Sequence, residues 1–108
     1  MLGGLFGIHL ENSEGQCTDF DFKGLGRAQA MIFAIEKINN DSNILPNLTV
    51  GYDIRDYCRN VLKAMRITND LFRESSTCNE TDKISKPIVA LIGPEESSTA
   101  LEIGRAHV

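Results

Sequence analysis

The sequence predicts an α/β protein, ordered β-α-β-α-β-α around a parallel sheet, and three observations carry that prediction. Three segments hold apolar residues at period two or in short unbroken runs, as strands do. Two longer segments between them repeat their apolar residues at helical spacing. Turn-forming clusters such as Asn39-Asn40-Asp41-Ser42 and Gly93-Pro94 separate the segments. Strands alternating with helices imply parallel strands joined by right-handed crossovers.

Taken in order, Leu2 to His9 is a short apolar run rich in glycine and reads as a buried strand. It is under way from the second residue, so we expect a truncated start, without a secretory leader. Glu11 to Lys23 is polar and reads as a loop. From Gly24 to Asn40, Leu25, Ala28, Met31, Ile32, Ile35 and Ile38 recur at helical spacing. Ala30, Phe33 and Ala34 widen that stripe, so this helix is expected to be buried on much of its circumference. Arg27 falls in its first turn, where a cation opposes the helix dipole, a mild sign that it pairs with an anion.

Leu48, Val50, Tyr52 and Ile54 alternate with Thr49, Gly51, Asp53 and Arg55, the pattern of a second strand. Val61, Leu62, Met65, Thr68, Leu71 and Phe72 line one face of a predicted amphipathic helix from Arg59 to Arg73. Glu74 to Lys86 is polar and unpatterned. Pro87 opens an apolar strand, Ile88 to Ile92, and Ser97, Ser98 or Thr99 is placed to cap a third helix.

Composition removes several function classes. With 108 residues the chain holds one small domain, and its net charge of −4 gives no basic field for nucleic acid. No apolar run is long enough to cross a bilayer. The three cysteines, Cys17, Cys58 and Cys78, include no C-x-x-C pair, and there are two histidines. No metal site and no cofactor is therefore expected. Asn40, Asn47 and Asn79 each open an N-x-[ST] sequon, so all three are candidate glycosylation sites. Sequons with an odd cysteine count point to the secretory pathway, where two cysteines pair and one is left for another chain.

Catalysis has no support. Ser97 has no histidine with a reason to lie nearby, and Asp19, Asp21, Asp53 and Asp56 read as solvated surface. A small-ligand site is better supported. In open α/β sheets, ligands bind beyond the C-terminal ends of the strands. Leu10 to Arg27 and Gly93 to Thr99 occupy such ends. Free N–H groups and the hydroxyls of Ser97 and Ser98 at a helix start suit a carboxylate.

The final residues stand apart. Ile103-Gly104-Arg105-Ala106-His107-Val108 back-translates as ATC GGA AGA GCA CAC GTC, the opening of a common sequencing-library adapter read in frame. We expect natural sequence over residues 1–102 and an adapter-derived tail over 103–108.

Longer motifs resemble one family. Leu2-Gly3-Gly4-Leu5-Phe6-Gly7-Ile8-His9 resembles the first strand of class C G-protein-coupled receptors, with Gly7 in place of a proline. Gln29 to Asn39 resembles their first helix, Leu45 to Gly51 their LPN(I/L)TLG segment, and Asp56-Tyr57-Cys58 their D-x-C. Lys86 to Pro94 is similar to metabotropic glutamate receptors in particular, with calcium-sensing receptors the other near group. The resemblance implies the first half of lobe 1 of a type I periplasmic-binding-protein-like domain, the Venus flytrap. Such a domain binds an amino acid between two lobes and signals through a homodimer or heterodimer to a G protein, from the extracellular side of the plasma membrane.

The resemblance implies that Ser97, with Ser98 beside it, holds the ligand's α-carboxylate. It also implies that Arg27 grips a side-chain carboxylate, hence a glutamate-like ligand. Lys23 stands where glutamate receptors carry tyrosine, and Glu95-Glu96 where they carry a Gly/Ser pair. It further implies an intrachain disulfide between Cys17 and Cys58 and an intermolecular one through Cys78. The alternative is the same fold in a guanylate-cyclase receptor, an ionotropic receptor or a bacterial solute-binding protein.

Overall fold

The computed structural model describes residues 1–76 and 87–106. Three parallel strands form its sheet in the order β4-β1-β5: β1 (Leu2–Phe6) lies in the centre, β4 (Tyr52–Asp56) on one side and β5 (Ala90–Ile92) on the other. The register sets Leu2 against both Tyr52 and Ala90, and Phe6 against Asp56. The expected parallel α/β architecture is therefore present.

Successive side chains of a strand point to opposite faces, and β1 uses both. Leu5 packs with Tyr57, Ala64 and Ile103, against α2 (Val61–Ser76) and α3 (Ser97–Ala106). Phe6 packs with Ala28, Met31 and Ile35 of α1 (Phe22–Asn40). Helices thus cover both faces of the sheet. Only Gly24, Ala28, Met31 and Ile35 of α1 are buried, a narrow stripe. The wider burial expected for this helix is not found: Ala30, Phe33 and Ala34 face outward, and Phe33 lies beneath Lys37 at 5.2 Å.

The stretch expected to be a loop after β1 holds a hairpin. β2 (His9–Glu11) pairs antiparallel with β3 (Cys17–Phe20). Asn12 builds the turn, its side-chain oxygen accepting from the N–H groups of Glu14 and Gln16 at 2.9 Å each. Gly15, at φ +78°, supplies the left-handed residue that such a turn needs. Every residue of β3 is exposed, so no hydrophobic alternation marks it in the sequence.

A disulfide joins Cys17 of this hairpin to Cys58, just beyond β4. Closing a loop across a separation of 41 residues removes about 4 kcal/mol of unfolded-state freedom on the chain-entropy estimate. On the far side of β4, Arg55 bonds both oxygens of Asp53 and reaches Glu74 of α2 at 2.7 Å. The third helix runs to Ala106 and turns Ile103 into the core.

Candidate functional site

Two glycines bring three segments together at the C-terminal end of β1. A Cβ on Gly24 would run into the carbonyl oxygen of Gly7, so only glycine lets the first turn of α1 approach so closely. Gly93, at φ +98°, lies as close to the carbonyl oxygen of Leu5 and draws the loop after β5 against β1 from the other side. Beyond Gly7, between the starts of α1 and α3, lies the position where open α/β sheets have their binding crevice.

At the α3 border the helix begins at Ser97, and the carbonyl of Glu96 accepts the first helical hydrogen bond, from Ala100 N–H at 3.0 Å. Glu96 therefore holds the cap position for which Ser97, Ser98 and Thr99 were the candidates. Ser97 and Ser98 are exposed in the first turn, and neither hydroxyl bonds a described residue. The first N–H groups of any helix lack intrahelical partners, so hydroxyls and amides together offer donors to a carboxylate. Thr99 is instead fully buried, with its hydroxyl unpartnered among the described residues.

At the α1 border, Asp21 caps the helix, accepting from Lys23 N–H at 3.0 Å. The helix starts earlier than expected, which moves Arg27 into its second turn. There the helix dipole is weak, and Arg27 finds a partner: its guanidinium lies 3.5 Å from Glu95 Oε1. The same oxygen accepts from Gly7 N–H at 3.2 Å, while Glu95 Oε2 is buried without a hydrogen-bond partner among the described residues. Arg59 bridges the two borders, 3.4 Å from Asp21 and 3.5 Å from Glu96. Tyr57, fully buried, donates its hydroxyl to Glu96 at 3.3 Å. Burial pushes its phenol well above the ordinary range, and the charges of Glu95 and Glu96 push it further, so Tyr57 stays a neutral donor at physiological pH.

Behind the crevice, Asp56 at the end of β4 gathers the chain. Its Oδ1 accepts from the N–H groups of Ile8, His9 and Cys58 at 3.0, 3.3 and 2.9 Å, and its Oδ2 meets His9 Nδ1 at 2.5 Å. The solvated role expected of the aspartates thus fails for Asp21, Asp53 and Asp56, each of which has a structural partner. His9, Asp56 and Cys17 come close enough to suggest a metal site, but Cys17 is spent in the disulfide and two ligands remain. That does not amount to a metal centre.

A family described as the receptor family ligand-binding region matches residues 26–105, most of the chain. The chain belongs to that family. It is 34% identical to the human extracellular calcium-sensing receptor over 95% of its length, and 36% identical to rat metabotropic glutamate receptor 4 over 94%. It is also 34% identical to a gorilla taste receptor, type 1 member 3, over 97%. The chain spans 11–14% of the length of these relatives. The resemblance to class C receptors therefore holds, and the relatives named are receptors.

Sequence reasoning named Ser97, Ser98 and Arg27; the two serines begin α3, and Arg27 lies in α1 against Glu95. It missed Glu95 as the partner of Arg27, Tyr57 and Arg59 as supports of the acidic loop, and Asp56. Asn40 and Asn47 are exposed, as a glycan acceptor must be. Cys78 and Asn79 lie outside the described residues. No helix among the described residues is long and apolar enough to cross a membrane.

Proposed function

We propose that this chain forms part of the extracellular ligand-binding region of a class C G-protein-coupled receptor. The ligand is an amino acid, and its α-carboxylate rests on the hydroxyls of Ser97 and Ser98 and the free N–H groups at the start of α3. The carrying observation is the position of that helix start: two exposed serines, displaced from capping by Glu96, begin α3 just after β5. This is where open α/β sheets take ligands. Binding shifts an equilibrium between open and closed lobes, and a dimer relays the shift to a G protein at the plasma membrane. Cys78 is the residue proposed to link the protomers, and Asn40, Asn47 and Asn79 are the proposed glycan acceptors. The calcium-sensing, taste and metabotropic relatives favour this over a guanylate-cyclase receptor or a solute-binding protein.

The test is a dose–response series on the full-length protein in cells, with surface level measured alongside. Ser97→Ala is expected to weaken every active amino acid tenfold or more, about 1.4 kcal/mol, whatever its side chain. Unchanged curves for Ser97→Ala and for Ser97→Ala/Ser98→Ala together remove the carboxylate assignment.

A further inference from the structure

We infer that Glu95 is the residue that sets side-chain selectivity at this site: it holds Arg27 as an internal counterion, so the site takes amino acids with basic side chains in preference to acidic ones. The inference rests on the amino-acid-binding role proposed above and names the ligand class. A glutamate-like ligand was expected because the family resemblance implies that Arg27 grips a side-chain carboxylate. In the structure that guanidinium lies 3.5 Å from Glu95 Oε1.

Glu95 is held in place independently of Arg27. Its Oε1 accepts from Gly7 N–H, fixing the carboxylate against the end of β1, and its side chain is only 12% exposed against 46% for Arg27. An acidic ligand approaching Arg27 would have to displace a tethered carboxylate or lie beside it against like-charge repulsion. Asp21, Glu95 and Glu96 stand with Arg27 and Arg59 in the ion pairs that join these segments. Glu95 Oε2 adds a buried acceptor with no partner among the described residues. An ammonium or guanidinium group supplies the charge and the donors that this arrangement lacks.

Glu95→Gln tests this with little change of shape, because the amide oxygen can still accept from Gly7 N–H. The full-length protein is expressed in cells, its surface level is measured, and whole-cell responses to L-lysine, L-arginine, L-glutamate and L-aspartate are compared. The unaltered protein is expected to respond to the basic pair at concentrations at least tenfold lower than to the acidic pair. Glu95→Gln is expected to shift the ratio of lysine to glutamate potency at least tenfold toward glutamate. Adding Arg27→Gln to Glu95→Gln is expected to abolish the gain for glutamate.

Should Glu95→Gln fail to reach the surface, Glu95→Asp, which withdraws the carboxylate from Arg27, is expected to move the ratio the same way by a smaller factor. A lysine-to-glutamate ratio that stays within twofold in the expressed variants overturns the assignment of Glu95 alone. A response to glutamate in the unaltered protein that exceeds the response to lysine does the same. Failure of all four amino acids to act on the unaltered, surface-expressed protein overturns the binding role and this inference together.

Discussion

Replacing Asp56 separates two things that one side chain does. Its Oδ1 receives three backbone N–H groups, while its Oδ2 meets His9. Cys58 and Arg59 follow immediately with φ of +54° and +51°, in the left-handed region that non-glycine residues avoid. The bond from Cys58 N–H to Asp56 helps hold that turn, from which the disulfide and Arg59 both project. Asp56→Ala leaves three N–H groups without their acceptor. A hydrogen bond to a charged group contributes about 1.5–3 kcal/mol when well shielded, but Asp56 and His9 retain 21% and 34% exposure. Water therefore recovers part of the loss, and about 1 kcal/mol per bond gives a total of about 3 kcal/mol. Asp56→Asn keeps an oxygen where Oδ1 stands and gives up only the charge, for a loss of about 1 kcal/mol.

Circular dichroism at 222 nm, followed through thermal unfolding of the disulfide-intact chain, reads both variants. At about 4–8 °C per kcal/mol for a domain of this size, Asp56→Ala is expected to unfold roughly 12–24 °C lower and Asp56→Asn roughly 4–8 °C lower. Equal losses from the two variants would refute the hub role of Oδ1 and assign the effect to charge. A loss under about 1 kcal/mol for Asp56→Ala would mean that the three N–H groups find other partners.

Two further outcomes are expected. Gly24→Ala forces a methyl group toward the Gly7 carbonyl and should cost about 1–3 kcal/mol or more, whereas Gly26→Ala in the same helix meets nothing within 4 Å. Gly26→Ala should stabilise by up to about 1 kcal/mol through helix propensity, and denaturant midpoints that move the two variants alike would dismiss the close approach of α1. We propose that residues 103–108 derive from a library adapter; the source transcript, sequenced past the codon for Glu102, is expected to encode something other than Ile-Gly-Arg-Ala-His-Val. Recovery of that hexapeptide from genomic template would refute the proposal.

The three parallel strands and their helices were legible because short apolar runs and helical spacing are local patterns. The β2–β3 hairpin was not, because Cys17 to Phe20 is exposed throughout and its turn is written in Asn12 and Gly15 rather than in apolar alternation. Phe33 and Ala34 look like core in a helical projection, yet α1 shows the sheet only the stripe of Ala28, Met31 and Ile35. The start of α3 at Ser97 could be found because a helix start after a strand is a local pattern. The partners of Arg27 and Asp56 could not. Glu95 meets Arg27 only once β5 lies beside β1, and Asp56 meets Ile8 and His9 only because the parallel register ends Phe6 opposite it. An isolated carboxylate in a list of residues looks solvated until the fold shows which amides face it.

The central place of β1 also governs the order of assembly. Leu2 pairs with Tyr52 and Ala90, so β1 leaves the ribosome well before either of its sheet partners. At synthesis rates of about 5–20 residues per second, β1 waits roughly 3–10 s for its first partner and about twice that for its second. Meanwhile α1 is available far sooner, and Met31 and Ile35 can shelter Phe6 before any sheet exists. A nascent chain of this design is guarded by its first helix, and substitutions that weaken the grip of α1 on β1 should tell first on the yield of folded protein.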